Sequence, residues 1–237
     1  MYDFEIVGHR GAPKMAPENT LLSFKLAMDI GVDWIEFDLR RSKDGILVVI
    51  HDETVDRTTN GHGKVGEMTF ERLQKLDAGN GQSIPSLKQV IDLARGNVKM
   101  DMEIKEEGIE KDVVEAIEKN GIVGQCMVSS FIYDSIKKVK ELNPEIMTAA
   151  ILDRMSGDVV KCLDTLFDGV NTRTLMISKK IANEPFIGEA RRYGFRIGIW
   201  NADTPEEIES LAAMDPYYLC SNYPDRLVEL KSIPANP

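Results

Sequence analysis

Two of the chain's three histidines, His9 and His51, lie in its first quarter, alongside Arg10 and the carboxylates Glu36 and Asp38. Glu36 and Asp38 stand two apart in the strand-like run Trp34–Leu39, so both side chains leave the same face. Carboxylate oxygens on one face, with no cysteine nearby, suit a hard divalent cation such as Mg2+ or Ca2+ better than zinc. Arg10 can hold a pair of phosphate oxygens in its planar fork. Two imidazoles can take up and return a proton near neutral pH. A further run, Met100–Lys105, puts Asp101, Glu103 and Lys105 on one strand face. Three such residues are costly against an apolar core, so a charged, inward cluster at a strand end is expected, with Lys105 as a point charge for phosphate. Asp101 lies deeper and reads as a buried, hydrogen-bonded support. Together these residues point to metal-assisted chemistry at a phosphate diester.

Residues so far apart must be gathered by a scaffold. Short apolar or β-branched runs occur at Phe4–Gly8, Trp34–Leu39, Val98–Ile104, Cys126–Phe131, Ile146–Leu152, Asp168–Asn171, Arg196–Trp200 and Tyr217–Ser221. Helical patterns alternate with them at Glu18–Ile30, Ser86–Arg95, Ile109–Asn120, Tyr133–Leu142, Gly157–Leu166, Ser178–Tyr193, Pro205–Met214 and Pro224–Leu230. Thr204-Pro205-Glu206-Glu207 carries the signature of a capped helix start. Eight strand–helix units predict an α/β fold, a (β/α)8 TIM barrel, whose active sites sit at the C-terminal ends of the strands. An open doubly wound sheet would present a glycine-rich phosphate turn after its first strand, and Gly11 alone does not supply one.

Two segments interrupt the alternation. Ser42-Lys43-Asp44-Gly45 between strand-formers predicts a hairpin. A two-residue Asp44-Gly45 loop would pair Lys43 with Ile46 and Asp38 with His51, returning His51 to the barrel mouth. Residues 52–85 then form a small insertion after the second strand, expected to be a lid or wall in a single domain spanning 1–237.

The 237 residues carry a net charge of −10 and a pI near 4.9, which argues against nucleic acid or an anionic membrane surface as partner. A small anionic substrate stays compatible, because a metal and an arginine reverse the field locally. Cys126, Cys162 and Cys220 lack metal or disulfide spacing and read as buried thiols. No signal peptide or membrane span is evident, so a cytoplasmic enzyme without stable membrane association is expected, and a homo-oligomer is compatible with the chain. His62, in a glycine-rich turn, reads as an exposed loop residue, and Glu18 and Asn19 as caps of the first helix that brace the site.

His9-Arg10-Gly11, Pro17-Glu18-Asn19-Thr20, Ile35-Glu36-Phe37-Asp38, Lys43-Asp44-Gly45, Val49-Ile50-His51-Asp52, Arg57-Thr58-Thr59-Asn60-Gly61 and Met102-Glu103-Ile104-Lys105 together resemble the glycerophosphodiester phosphodiesterase family. The likeness resumes at Ser129-Ser130-Phe131, Gly194–Trp200 and Tyr223-Pro224-Asp225. It implies a (β/α)8 barrel that hydrolyses a glycerophosphodiester to an alcohol and sn-glycerol 3-phosphate. It further implies Glu36, Asp38 and Glu103 as ligands of one divalent cation, His9 and His51 as the acid/base pair, and Arg10 and Lys105 on the phosphate. Trp200 is available to pack against substrate. Where the family commonly has Trp-Thr-Val-Asn this chain has Trp200-Asn201-Ala202-Asp203, and where Thr-Asp-Tyr-Pro is usual it has Ser221-Asn222-Tyr223-Pro224. These departures are expected to alter leaving-group preference and to leave the metal and acid/base residues untouched. Two other readings stand beside hydrolysis. One is a lysophospholipase D-like enzyme forming a cyclic phosphate, which needs an apolar channel. The other is a non-catalytic phosphate-ligand binder, which predicts loss of a histidine or ligand, and none is lost.

Overall fold

The computed structural model describes residues 2–155 and 157–232, so the span expected for the single domain, 1–237, reaches beyond the described residues at Met1, Ser156 and 233–237. Its strands are β1 (Glu5–Gly8), β2 (Trp34–Arg41), β3 (Leu47–Val49), β4 (Lys99–Ile104), β5 (Cys126–Ser130), β6 (Met147–Leu152), β7 (Thr174–Ser178), β8 (Arg196–Trp200) and β9 (Tyr218–Ser221). All but β3 run parallel, and β1 pairs with both β2 and β9, which closes an eight-stranded barrel. Parallel strands covered on both faces are buried on both, and β5 and β7 are buried along their whole length. Inside, Val7, Trp34, Met127, Ala149, Met176 and Tyr218 plug the barrel. Such packing makes the interior a core, with room for chemistry only at the mouth.

The outer layer is α1 (Leu21–Ile30), α2 (Phe70–Gln74), α3 (Leu87–Ala94), α4 (Glu110–Asn120), α5 (Tyr133–Leu142), α6 (Val159–Asp164), α7 (Glu184–Arg192), α8 (Pro205–Ala212) and α9 (Pro224–Ser232). α3 shows why these segments are helical. Ser86 and Gln89 form a reciprocal capping box, and Leu87, Val90, Ile91 and Ala94 fall on one buried stripe. Each large side chain of that stripe contributes roughly 1.5–3 kcal/mol by leaving water, so Val90→Asp would detach the helix. α8 carries the capping box expected at Thr204 and Glu207. α1 starts later than expected: its N-cap is Thr20, whose hydroxyl accepts from the Ser23 N–H, which leaves Glu18 and Asn19 for other work.

Two expectations are corrected. The sixth barrel strand, β7, is Thr174–Ser178, not Asp168–Asn171, because the α6 helix continues as a wider turn over Thr165–Gly169. The buried run Thr174-Leu175-Met176-Ile177-Ser178 takes the barrel position instead. The β2–β3 hairpin also has a different register: Leu39 pairs with Val49 and Arg41 with Leu47, and the Ser42 N–H donates to the Ile46 carbonyl. The loop is therefore three residues, Lys43-Asp44-Gly45, with Gly45 left-handed at φ 84°. The Ser42 hydroxyl fixes it, accepting from the Ile46 N–H and donating to Asp44 Oδ1. Asp38 thus lies opposite Ile50, whose N–H it accepts, and does not pair with His51.

Between β3 and α3 the chain makes an excursion with its own small core of Val48, Ile50, Val55, Met68, Leu73 and Ile84. Among the described residues, no helix is long and apolar enough to cross a membrane. Cys126 and Cys220 are buried, Cys162 is half-buried, and all three are free.

Candidate active site

The parallel register of β2 and β4 sets Glu36 beside Asp101 and Asp38 beside Glu103. Four carboxylates are thereby stacked on two neighbouring strands, pointing into the barrel mouth. Oxygens of Glu36, Asp38 and Glu103 lie within 4.8 Å of one another. Asp101, below them, accepts from the Ser129 hydroxyl at 2.6 Å and is a buried support, as its depth on the strand predicted. Burial and the neighbouring charges of Asp38 and Glu103 push the Glu36 carboxyl well above its ordinary range. Burial and Asp38 likewise push Glu103 up to about 7, and burial raises Asp101 to about 7. Asp38 goes the other way: burial opposes its charge, but Arg10 and Lys105 more than offset it and hold it low. Glu36 Oε1 and Asp38 Oδ1 are buried without a hydrogen-bond partner. An acidic cluster that repels itself and leaves oxygens unpartnered fits a hard cation.

Arg10 is locked by its backbone. It sits at φ 54°, and Gly11 follows at φ 88°, where an added Cβ would lie 2.5 Å from Ser23 Oγ. The Arg10 N–H donates to Glu36 Oε2, and its carbonyl accepts from the Asn19 N–H and the Ser23 hydroxyl. This left-handed conformation costs on the order of 1–3 kcal/mol and is held by those three bonds. The guanidinium gives Nη1 to Glu18 at 2.7 Å and sets Nε 3.5 Å from Asp38 Oδ2, with Nε buried and otherwise unpartnered. Asn19, also left-handed, donates its amide to Asp38 Oδ2 at 2.7 Å. Lys105 donates to Glu103 at 2.7 Å and lies 3.5 Å from Asp38.

His51 reaches the mouth because the chain bends after β3, and Arg40 Nε holds its carbonyl. Its Nδ1 is 2.6 Å from Asp52, which accepts from Arg57, and Arg57 also grips both oxygens of Glu18 at 2.8 Å. Against the upward push of burial, Arg57 and Arg10 draw Glu18 down to about 2. An unbroken polar chain thus runs from His51 through Asp52, Arg57 and Glu18 to Arg10. His9 follows β1, with Nε2 3.9 Å from Glu36 Oε2. Burial and the Arg10 charge lower it to about 4.

His9, Arg10, Glu36, His51, Glu103, Lys105 and Trp200 all line one cavity of about 300 Å³, with Asp38 buried beneath it. The far wall is apolar, built from Phe131, Ile151, Met176 and Trp200, with the Phe131 and Trp200 rings edge to face. His62 is exposed and outside the site. Phe131, Asp52 and Arg57 contribute although sequence reasoning assigned them no role, and Asn201 and Asn222, expected to bear only on leaving-group preference, contribute as well. The expectation that the C-terminal departures leave the acid/base residues untouched is overturned. Asn222 Oδ1 lies 2.7 Å and Asn201 Nδ2 3.1 Å from His9 Nδ1.

Comparison with known proteins agrees with this geometry. The model of the "Glycerophosphoryl diester phosphodiesterase family" matches residues 9–226. The Bacillus subtilis protein YhdW is 34% identical over 239 residues, covering 94% of this chain and 96% of its own. A glycerophosphodiester phosphodiesterase from Agrobacterium tumefaciens is 30% identical in its crystal structure, with a TM-score of 0.84 over 95% of this chain and 99% of that one. An Oleispira antarctica phosphodiesterase, solved with the product sn-glycerol-3-phosphate, shares the fold at a TM-score of 0.87 and 24% identity, covering 97% of each chain. The chain is accordingly an enzyme, a phosphoric diester hydrolase, and belongs to the glycerophosphoryl diester phosphodiesterase family.

Proposed function

We propose that this enzyme hydrolyses glycerophosphodiesters to an alcohol and sn-glycerol 3-phosphate with the help of one divalent cation, Mg2+ or Ca2+, held by Glu36, Asp38 and Glu103. The observation that carries this reading is the set of buried, unpartnered atoms Glu36 Oε1, Asp38 Oδ1 and Arg10 Nε at one cavity floor. Carboxylate oxygens with no donor and a guanidinium N–H with no acceptor in hydrogen-bond range, side by side, are what a metal–phosphate pair satisfies. The product bound to the Oleispira antarctica neighbour is consistent with it. When bound, the cation would neutralise charge building on the phosphate oxygens.

The chain's own residues do the rest. Arg10, fixed by its backbone, and Lys105 orient the phosphate from two sides. A proton leaves the attacking water as its oxygen bonds to phosphorus, and a proton reaches the departing alkoxide as the P–O bond breaks. His9 and His51 are the groups placed to carry those two protons. Trp200, with Phe131, packs on the part of the substrate away from the carboxylates. The diagnostic experiment measures sn-glycerol 3-phosphate released from glycerophosphocholine with and without EDTA, following phosphorus by NMR. Activity that is lost with the chelator and restored by Mg2+ or Ca2+ is expected. Turnover indifferent to EDTA would sink the metal assignment, and an accumulating cyclic phosphate would replace hydrolysis by internal attack.

A further inference from the structure

His9 Nδ1 faces two carboxamides, Asn222 Oδ1 at 2.7 Å and Asn201 Nδ2 at 3.1 Å. One nitrogen of a neutral imidazole is a donor or an acceptor, so it cannot satisfy both as they stand. Asn222 decides between them, because its orientation is fixed from the other side. Its Nδ2 donates to Asp203 Oδ2 at 2.7 Å, and its backbone N–H donates to Asp203 Oδ1 at 2.9 Å. A carboxylate only accepts, so Asn222 must turn its amide nitrogen to Asp203 and its oxygen to His9. The ring nitrogen at Asn222 therefore carries the hydrogen. Asn201 Oδ1 is buried without a partner, and exchanging the oxygen and nitrogen of that amide sets a second acceptor against the same N–H.

We infer that Asn222, clamped by Asp203, is a positioning residue that fixes His9 as its Nδ1–H tautomer and leaves the Nε2 lone pair facing the cavity. The two C-terminal departures thus meet in one contact. The family pattern has Asn at the position of Asp203 and Asp at the position of Asn222, whereas this chain has the reverse. In this chain the carboxylate stands at 203 and the carboxamide at 222, joined by one 2.7 Å hydrogen bond. A carboxylate still stands behind the ring, one residue further out, and the direct partner of His9 is neutral.

The inference rests on His9 acting in proton transfer, and the test separates the two claims. In 15N–1H spectra of the wild-type enzyme, with the His9 signals identified by their loss in His9→Gln, Nδ1 should carry the proton and Nε2 the lone pair. Finding the hydrogen on Nε2 overturns the inference, whatever the enzyme's activity. Kinetics supply the second arm. Asn222→Asp sets two carboxylates against each other, so kcat should fall ~10-fold or more with KM within about twofold. Asp203→Asn sets two amides together and should lower kcat less. The double variant Asp203→Asn/Asn222→Asp restores a matched pair and should return kcat to within ~3-fold of wild type. Losses that merely add in the double variant overturn the exchange. If His9→Gln retains full turnover, the catalytic reading fails while the spectra still decide the tautomer.

Discussion

The barrel mouth has two unlike halves. From β1 to β4 it is built of ions: Arg10, Glu36, Asp38, Glu103 and Lys105, each backed by another charge or a backbone N–H. From β5 to β9 the cavity is lined by Phe131, Ile151, Met176 and Trp200, and its polar groups there include the neutral amide of Asn201. The histidines mirror the split. His51 leans on a carboxylate, Asp52, within an ionic chain, whereas His9 leans on amides that follow β8 and β9, the strands on the other side of β1. A reaction that must hold an anion and release an alcohol needs both kinds of wall, and the fold separates them around one cavity.

The largest effects should come where the halves meet. His9→Ala and His51→Ala should each reduce kcat by at least ~10², measured at saturating substrate with cation present. A variant turning over near the wild-type rate removes that histidine from the pair. Next comes the ionic chain: Arg57→Met frees both Asp52 and Glu18 and should reduce kcat/KM roughly tenfold, because a slight misplacement of His51 and Arg10 is costly. An unchanged value would show that the charged half is held without it.

The carboxylates give a pH-dependent effect on stability. Glu103 titrates near 7 in the fold against an ordinary value of 4.5. A raised carboxylate favours the folded state while protonated, so its contribution to apo-protein stability is present at low pH and is lost as pH rises toward 7. A cation competes with that proton. Added Mg2+ or Ca2+ should therefore raise Tm more at pH 8 than at pH 5.5, and an equal shift at both would contradict the assignment of the cluster. The smallest effect belongs to the apolar half. Trp200→Ala or Phe131→Ala should raise KM by only ~5-fold and to a degree that varies with the alcohol, whereas kcat is nearly kept. A uniform loss across all alcohols would move these rings from the leaving group to the phosphate side.

The charged half was largely legible in the sequence, because same-face spacing on β2 and β4 is a local property that survives folding. Even there, the β2–β3 register differed by one residue. Asp-Gly serves two-residue and three-residue loops alike, and the Ser42 hydroxyl that selects the longer one is not an element of the pattern. His51 still arrives, since its position depends on the bend after β3 rather than on cross-strand pairing. β7 was misread because Asp168–Asn171 and Thr174–Ser178 are both short, and only the continuation of the α6 helix tells them apart. The amide support of His9 was not legible at all. Asn201 and Asn222 are neutral, 21 residues apart and attached to different strands, and their one visible sign was a departure from the family's motifs.

Arg57 bears on how molecules travel through this site. Its guanidinium is tied to Asp52 on the excursion and to Glu18 just before α1, so this flank of the mouth is joined to the same residue that holds Arg10. Through Asp52 those bonds tie the segment expected as lid or wall to Glu18. On the rim formed after β5 and β8, Phe131 stands 44% exposed beside Trp200. A diester entering by that rim would bring its phosphate inward to Arg10 and the carboxylates and leave its alcohol toward water.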